Sequence, residues 1–381
     1  MKPPFPWLED VPDTFKHHLE HPDVDTATYT RQKRIRLGEQ AASLRRVYLD
    51  TKYWVYLRDV HLQRPQKGIH VQIDTELRRL RANGSTICPI SYPVYSELLY
   101  QSDRATRKAT AEVIDALSGG YSIQPPHEMF NRELAHFYAR CTNPSGDFYK
   151  LIEMVWTKVA FVLGDTFLKL NDEFPAAEAV AMEKAMDDLL WSAKLADMIE
   201  QMPLPDGVEQ QRILNLASIL TDGKFQHQSP SDTFESLFLD EVTGIMDGLN
   251  DVLSNFMLYQ ARQNGVTEQV PAEDRQEVGR MLGNLIRGAF QHKRLTSEMP
   301  SVSIPAALHA LVRLDKNRKY KKGDFEDFHH AAAAIGFCDL LLTESSLCHL
   351  VNTREVDCER TYGCRVLSDD STIFNHLKKV E

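Results

Sequence analysis

The alternation of apolar and polar positions divides the chain into stretches of different period. Val47 to Leu49 form a short β-prone run that ends on an acid, Asp50. A run of that length predicts a buried strand whose C-terminal end presents the carboxylate. In the downstream segment VQIDTELRRLRANG the apolar residues Val71, Ile73, Leu77 and Leu80 fall on helical spacing, and Asn83-Gly84 supplies a stop, so a helix is predicted there. STICPI, residues 85 to 90, reads as a second strand, and residues 93 to 117 carry helical spacing with Glu97 in the first turns. Strand and helix alternating in this way predict a parallel sheet with crossover helices. In such sheets reactive groups collect at the C-terminal ends of the strands.

From about residue 131 to 300 the period changes. FYKLIEMVWTKVAFVLGDTFLKL and the segments after it are long and helical, without a convincing strand, separated by breakers at Asp172 to Pro175, Pro203 to Gly207 and Asn264-Gly265. Their apolar stripes and methionines read as the core of a helical bundle. The α/β pattern resumes near the end. Acids from Asp324 to Asp327 suit the first turn of a helix, which Ala331 to Ala334 continue with side chains small enough to pack closely. Leu340 to Leu342 then form a buried strand ending on Thr343 and Glu344, and CRVLSDDSTIFNHL reads as a last strand-like segment. The fold class expected is therefore α/β: a parallel sheet flanked by helices and interrupted by a large all-helical insert. Residues 1–43 form an N-terminal extension, 44–130 and 300–381 the two parts of the sheet domain, and 131–299 the insert subdomain.

Composition narrows the class. The 381 residues are 43% hydrophobic and 26% charged, the balance of a globular protein rather than a disordered or collagen-like one. The opening MKPPFPWLEDVPDTFKHH carries acids and prolines where a signal peptide has an apolar run, and no segment offers the ~18 apolar residues of a membrane span. A cytoplasmic protein without membrane contact is expected. Six cysteines, Cys88, Cys141, Cys338, Cys348, Cys358 and Cys364, include no CxxC pair, so they read as reduced thiols and not as a zinc ribbon. Neither a GxxxxGK[ST] loop nor a GxGxxG fingerprint occurs, which argues against a nucleotide-driven motor or a dinucleotide enzyme.

The net charge of −10 conceals a division. Residues 151–300 hold 24 acids and 12 bases, whereas the flanks hold 30 acids and 32 bases. The densest basic run is RLDKNRKYKK, residues 313–322, in which Lys316, Arg318, Lys319, Lys321 and Lys322 could grip phosphates. Four acids sit where the expected architecture can gather them: Asp50 and Glu344 at strand ends, Glu97 early in a helix, and Asp327 at a helix start. Crowded carboxylates repel unless a cation neutralises them, and hard oxygen ligands of this kind suit Mg²⁺ or Mn²⁺. One or two such ions can activate a water for attack on a phosphodiester.

Three segments, VYLDTKYWVYL, PISYPVYSELL and GDFEDFHHAAAAIGFCDLLLTESSL, resemble the motifs of PIN-domain nucleases, metal-dependent ribonucleases that include toxins of toxin–antitoxin pairs and RNA-processing enzymes. HALVRLDKNRKYKKGDFEDFHHAAAAIGFCDLLLTE is similar to a group of large bacterial PIN-like proteins. The resemblance covers roughly 44–130 and 300–381. It implies that Asp50, Glu97, Asp327 and Glu344 are the four catalytic, metal-holding acids, with Asp324 and Asp339 as further candidates for the third and fourth roles and Ser345 as an alternative to Glu344. It also implies an endoribonuclease, with RNA a more expected partner than DNA; the competing reading is a PIN-like scaffold that binds RNA or protein without cutting. The 230 residues from Glu97 to Asp327 exceed any ordinary connection, so the acidic insert is expected to act as a gate, a dimer surface or a docking site for a protein partner. Of the smaller signals, His329 or His330 could position substrate, Tyr53, Trp54 and Tyr56 could stack bases, and Arg287 with His292 forms the short R-x4-H pattern of HEPN ribonucleases.

Overall fold

A computed structural model of the protein describes residues 13–166, 174–202, 208–227, 229–266 and 270–380. The chain divides into two compact units, the first made of 1–206, 337–348 and 364–381 and the second of 207–336 and 349–363. This division does not coincide with the boundaries at 131 and 300 drawn from periodicity.

The first unit opens with α1 (Phe15–Glu20) and α2 (Thr26–Ser43), followed by β1 (Arg45–Leu49), α3 (Thr51–His61), α4 (Gly68–Ala82), β2 (Thr86–Ile87), α5 (Tyr92–Leu99), α6 (Arg104–Ser118) and β3 (Tyr121–Ile123). It continues through α7 (Pro126–Thr142), α8 (Leu151–Met154), β4 (Trp156–Lys158), α9 (Ala176–Ser192) and α10 (Leu195–Ile199). The second unit holds α11 (Val208–His227), α12 (Phe234–Gly248), α13 (Asn250–Gln263), α14 (Ala272–Gln291), α15 (Pro300–Leu314) and α16 (Lys322–Ile335). The chain then returns to the first unit for β5 (Leu340–Leu342), crosses along α17 (Ser345–Val351) to α18 (Cys358–Tyr362), and ends in the first unit with β6 (Arg365–Leu367) and α19 (Asp370–Leu377).

The fold is mixed α/β around a small parallel sheet of four strands, ordered β2-β1-β5-β6. Val47, Tyr48 and Leu49 pair in register with Leu340, Leu341 and Leu342, and all six are fully buried. A strand with neighbours on both edges and cover on both faces needs apolar side chains in both directions, so these runs are continuous rather than alternating. β1 and α4 therefore lie where their periodicity placed them.

Three local readings are corrected. The helix predicted over 93–117 is two helices, because Asp103 accepts the Thr106 N–H at 2.7 Å and starts α6 afresh. The final segment is a strand only to Leu367; Asp369 then caps α19 by accepting the Thr372 N–H at 2.8 Å. The third correction concerns the stretch read as wholly helical, which contains β4, antiparallel to β3 with Ile123 opposite Trp156. A short apolar run fits either element, and the free edge of β3 decides it. The breakers Asp172, Glu173 and Pro203 to Gly207 lie outside the described residues.

In the first unit α2 passes so close to α8 that a Cβ on Gly38 would lie 1.8 Å from the Glu153 carbonyl oxygen. The second unit is a helical bundle whose core includes Leu237, Val242, Met246, Leu253, Ile286, Phe290 and Leu308. Arg313 of α15 ties to Glu241 of α12 at 2.6 Å.

Candidate metal centre

β1 and β5 run parallel, so Leu49 and Leu342 end at the same edge of the sheet. The Asp50 N–H extends the ladder by donating to the Leu342 carbonyl at 3.0 Å, after which the chain turns into α3. Asp50 stands at the N-cap position of that helix, yet its side chain makes no capping bond. The carboxylate is 6% exposed and accepts the Thr343 hydroxyl at 2.7 Å. An aspartate at an N-cap ordinarily satisfies the helix's first N–H groups; here it faces the residue that follows β5.

Glu97 comes from α5, whose start is tied to β1 by a buried 2.5 Å hydrogen bond between the Ser91 and Tyr48 hydroxyls. Carboxylate oxygens of Asp50 and Glu97 lie within 4.8 Å of each other. Burial pushes the Tyr48 phenol well above its usual range, and the charges of Asp50 and Glu97 push it the same way. The sheet edge therefore holds two acids and a hydroxyl, Thr343, in a shielded place. Carboxylates this close repel more strongly as water is excluded, and their oxygens are the donor type that hard divalent cations prefer.

The other predicted residues are distributed differently. Glu344 is exposed and is not part of the Asp50–Glu97 group; its neighbour Thr343 supplies the contact to Asp50. Ser345 is exposed at the start of α17. Asp339 precedes β5, at the opposite strand end, and is held by Arg46 through bonds of 2.6 and 3.0 Å from its guanidinium and 2.8 Å from its backbone N–H.

In the second unit Asp324 is buried, with one oxygen accepting from the Arg318 guanidinium at 2.8 Å and the other from the Lys321 N–H at 2.9 Å. Those bonds start α16, so Asp324 serves the helix. Asp327 lies one turn on and is partly exposed, His330 is 1% exposed and His329 is exposed. Lys316, Lys319 and Lys321 are exposed on the segment that leads into α16 and Lys322 is exposed at its first position, whereas Arg318 is engaged with Asp324. His330, expected to position nucleic-acid substrate, is thus nearly fully buried and does not stand on an exposed binding surface.

The aromatic residues after Asp50 are structural. Tyr53 and Trp54 are buried, and Tyr56 is stacked on His70 with ring centroids 4.0 Å apart. Arg287 donates to the Thr243 hydroxyl at 2.9 Å and His292 is exposed at the end of α14, so the R-x4-H pattern is spread over a helix end. The contact that sequence reasoning missed is Thr343, whose only signal was a hydroxyl residue directly after a three-leucine strand.

No family model matches the chain, and neither the curated proteins nor the solved structures compared with it yield a match. Among the described residues no helix is long and apolar enough to cross a membrane.

Proposed function

We propose that the protein is a divalent-metal-dependent nuclease of PIN-like fold, an endoribonuclease that uses Asp50 and Glu97 to hold Mg²⁺ or Mn²⁺. The observation that carries this reading is the pair of carboxylates within 4.8 Å, one buried and released from capping duty. Two like charges in that setting are costly alone and favourable around a dication, so the donor set fits the ion. The similarity of GDFEDFHHAAAAIGFCDLLLTE to PIN sequences supports a role for Asp327 in the reaction, which substitution tests directly. Glu344 is given no role in holding the ion, because it is exposed and outside the carboxylate group. The parallel order β2-β1-β5-β6, with Asp50 at the C-terminal end of β1, supports the PIN-like reading.

A bound divalent ion supplies a Lewis acid that makes water a competent nucleophile and stabilises the leaving oxygen of a phosphodiester. The chain's own contribution is to hold the Asp50 carboxylate in place through Thr343 and to draw the phosphate backbone with Lys316, Lys319, Lys321 and Lys322.

The test combines binding with activity. Thermal unfolding is recorded with Mn²⁺, Mg²⁺ or EDTA, beside cleavage of labelled RNAs and of single- and double-stranded DNAs, for wild type, Asp50→Asn, Glu97→Gln and Asp327→Asn. Metal is expected to raise the melting temperature of wild type and not of Asp50→Asn, because an ion that binds only the native state stabilises it. RNA cleavage is expected to be lost in all three variants. Metal stabilisation without cutting would favour the non-cutting scaffold, DNA cleavage alone would change the substrate class, and no metal effect of any kind would sink the proposal.

A further inference from the structure

The first unit also carries a half-open cavity of about 610 Å³ walled by α2, α7, α8 and α9, and none of its lining residues belongs to the carboxylate pair. Three guanidiniums face it, Arg31 and Arg34 from α2 and Arg132 from α7. The acids there are already engaged. Asp165 forms a close two-bond ion pair with Arg34, Glu153 accepts the Lys150 N–H at 3.0 Å, and Glu183 accepts the Thr26 hydroxyl at 2.7 Å. Arg132 approaches the same Asp165 only at 4.0 Å, and its Nε is buried without a hydrogen-bond partner. Arg31 is exposed. Thr26 and Thr30 add hydroxyls to the wall, Ala27, Ile35 and Met154 make its apolar part, and Tyr149, which also lines it, is 46% exposed.

We propose that this cavity binds a nucleoside monophosphate, the phosphate held by Arg31 and Arg132 and the base laid against Tyr149. A planar carboxylate is satisfied by one coplanar guanidinium fork, as Asp165 is by Arg34; two forks arriving from different helices suit a tetrahedral dianion. The volume exceeds what phosphate alone fills and falls in the range of small-molecule pockets, and the exposed Tyr149 ring in the lining offers a face on which any base can stack. The site is independent of the metal reading.

Calorimetry on the full chain in EDTA tests it, with AMP, GMP, CMP and UMP as ligands and inorganic phosphate, adenosine and benzoate as controls. At least one monophosphate is expected to bind at least about tenfold more tightly than each control, in keeping with a charge-assisted grip added to stacking. Arg31→Glu, at an exposed position, and Arg132→Lys, which keeps the charge but removes the fork, are each expected to weaken that binding about tenfold or more. Asp50→Asn is expected to bind the nucleotide as wild type does. Absence of binding at about 1 mM, equal binding of benzoate, or indifference to both arginine substitutions would overturn the proposal.

Discussion

Single residues of one type take different roles here according to what surrounds them. Asp50 and Asp188 are both shielded aspartates of the first unit. Burial raises the Asp188 pKa, but hydrogen bonds from Lys33 at 2.7 Å, Tyr29 at 2.6 Å and His18 at 2.7 Å outweigh it and pull the group down to about 2. A carboxyl whose folded-state pKa lies below its unfolded value contributes stability that is present above the unfolded value and is lost as pH falls through the folded one. Asp188→Asn is therefore expected to cost on the order of 2 kcal/mol at neutral pH, with the gap to wild type closing between about pH 4 and pH 2. Urea unfolding of both proteins across that range checks it, and a gap independent of pH would contradict the assignment. None of these three partners was legible in the sequence, since each lies more than 150 positions away.

At the scale of elements, caps account for most of the differences between periodicity and structure. Asp103 and Asp369 each begin a helix where apolar spacing alone suggested continuity or a strand, because an acceptor for the first N–H groups is worth about 1 kcal/mol wherever the chain can turn. Asp324 follows the same rule, and this separates it from the metal-binding candidates. Asp324→Ala is expected to destabilise the protein by about 1–3 kcal/mol through loss of the Lys321 and Arg318 bonds. Asp324→Asn keeps an acceptor for the Lys321 N–H, so it is expected to cost less and to retain whatever stabilisation Mn²⁺ gives to wild type. Denaturant melts of both variants with and without Mn²⁺ decide the matter; loss of the metal effect in Asp324→Asn alone would make Asp324 a ligand.

For the molecule as a whole the charge balance is the informative quantity. The chain is acidic overall, yet Lys316, Lys319, Lys321 and Lys322 are all exposed at and just before the start of α16. If they contact a single-stranded nucleic acid, the logarithm of affinity falls with the logarithm of salt concentration by about 0.7 for each phosphate neutralised. Replacing all four by glutamine is expected to reduce that slope by about 3, measured by fluorescence anisotropy with a labelled RNA between low and moderate salt. An unchanged slope would remove these lysines from the binding surface while leaving the metal proposal untouched.

The strand runs Val47 to Leu49 and Leu340 to Leu342, the helix ending at Asn83 and the helical character of the stretch after residue 208 were determined by the sequence itself, because burial on both faces or on one stripe imposes a local period that neighbours in the chain display. Only the tertiary structure decided that Thr343 rather than Glu344 meets Asp50, that Asp339 pairs with Arg46, that Trp156 joins a ladder and that three arginines line one cavity. Each of these depends on pairing between residues distant in the chain, and such pairing leaves no periodic trace in either segment alone.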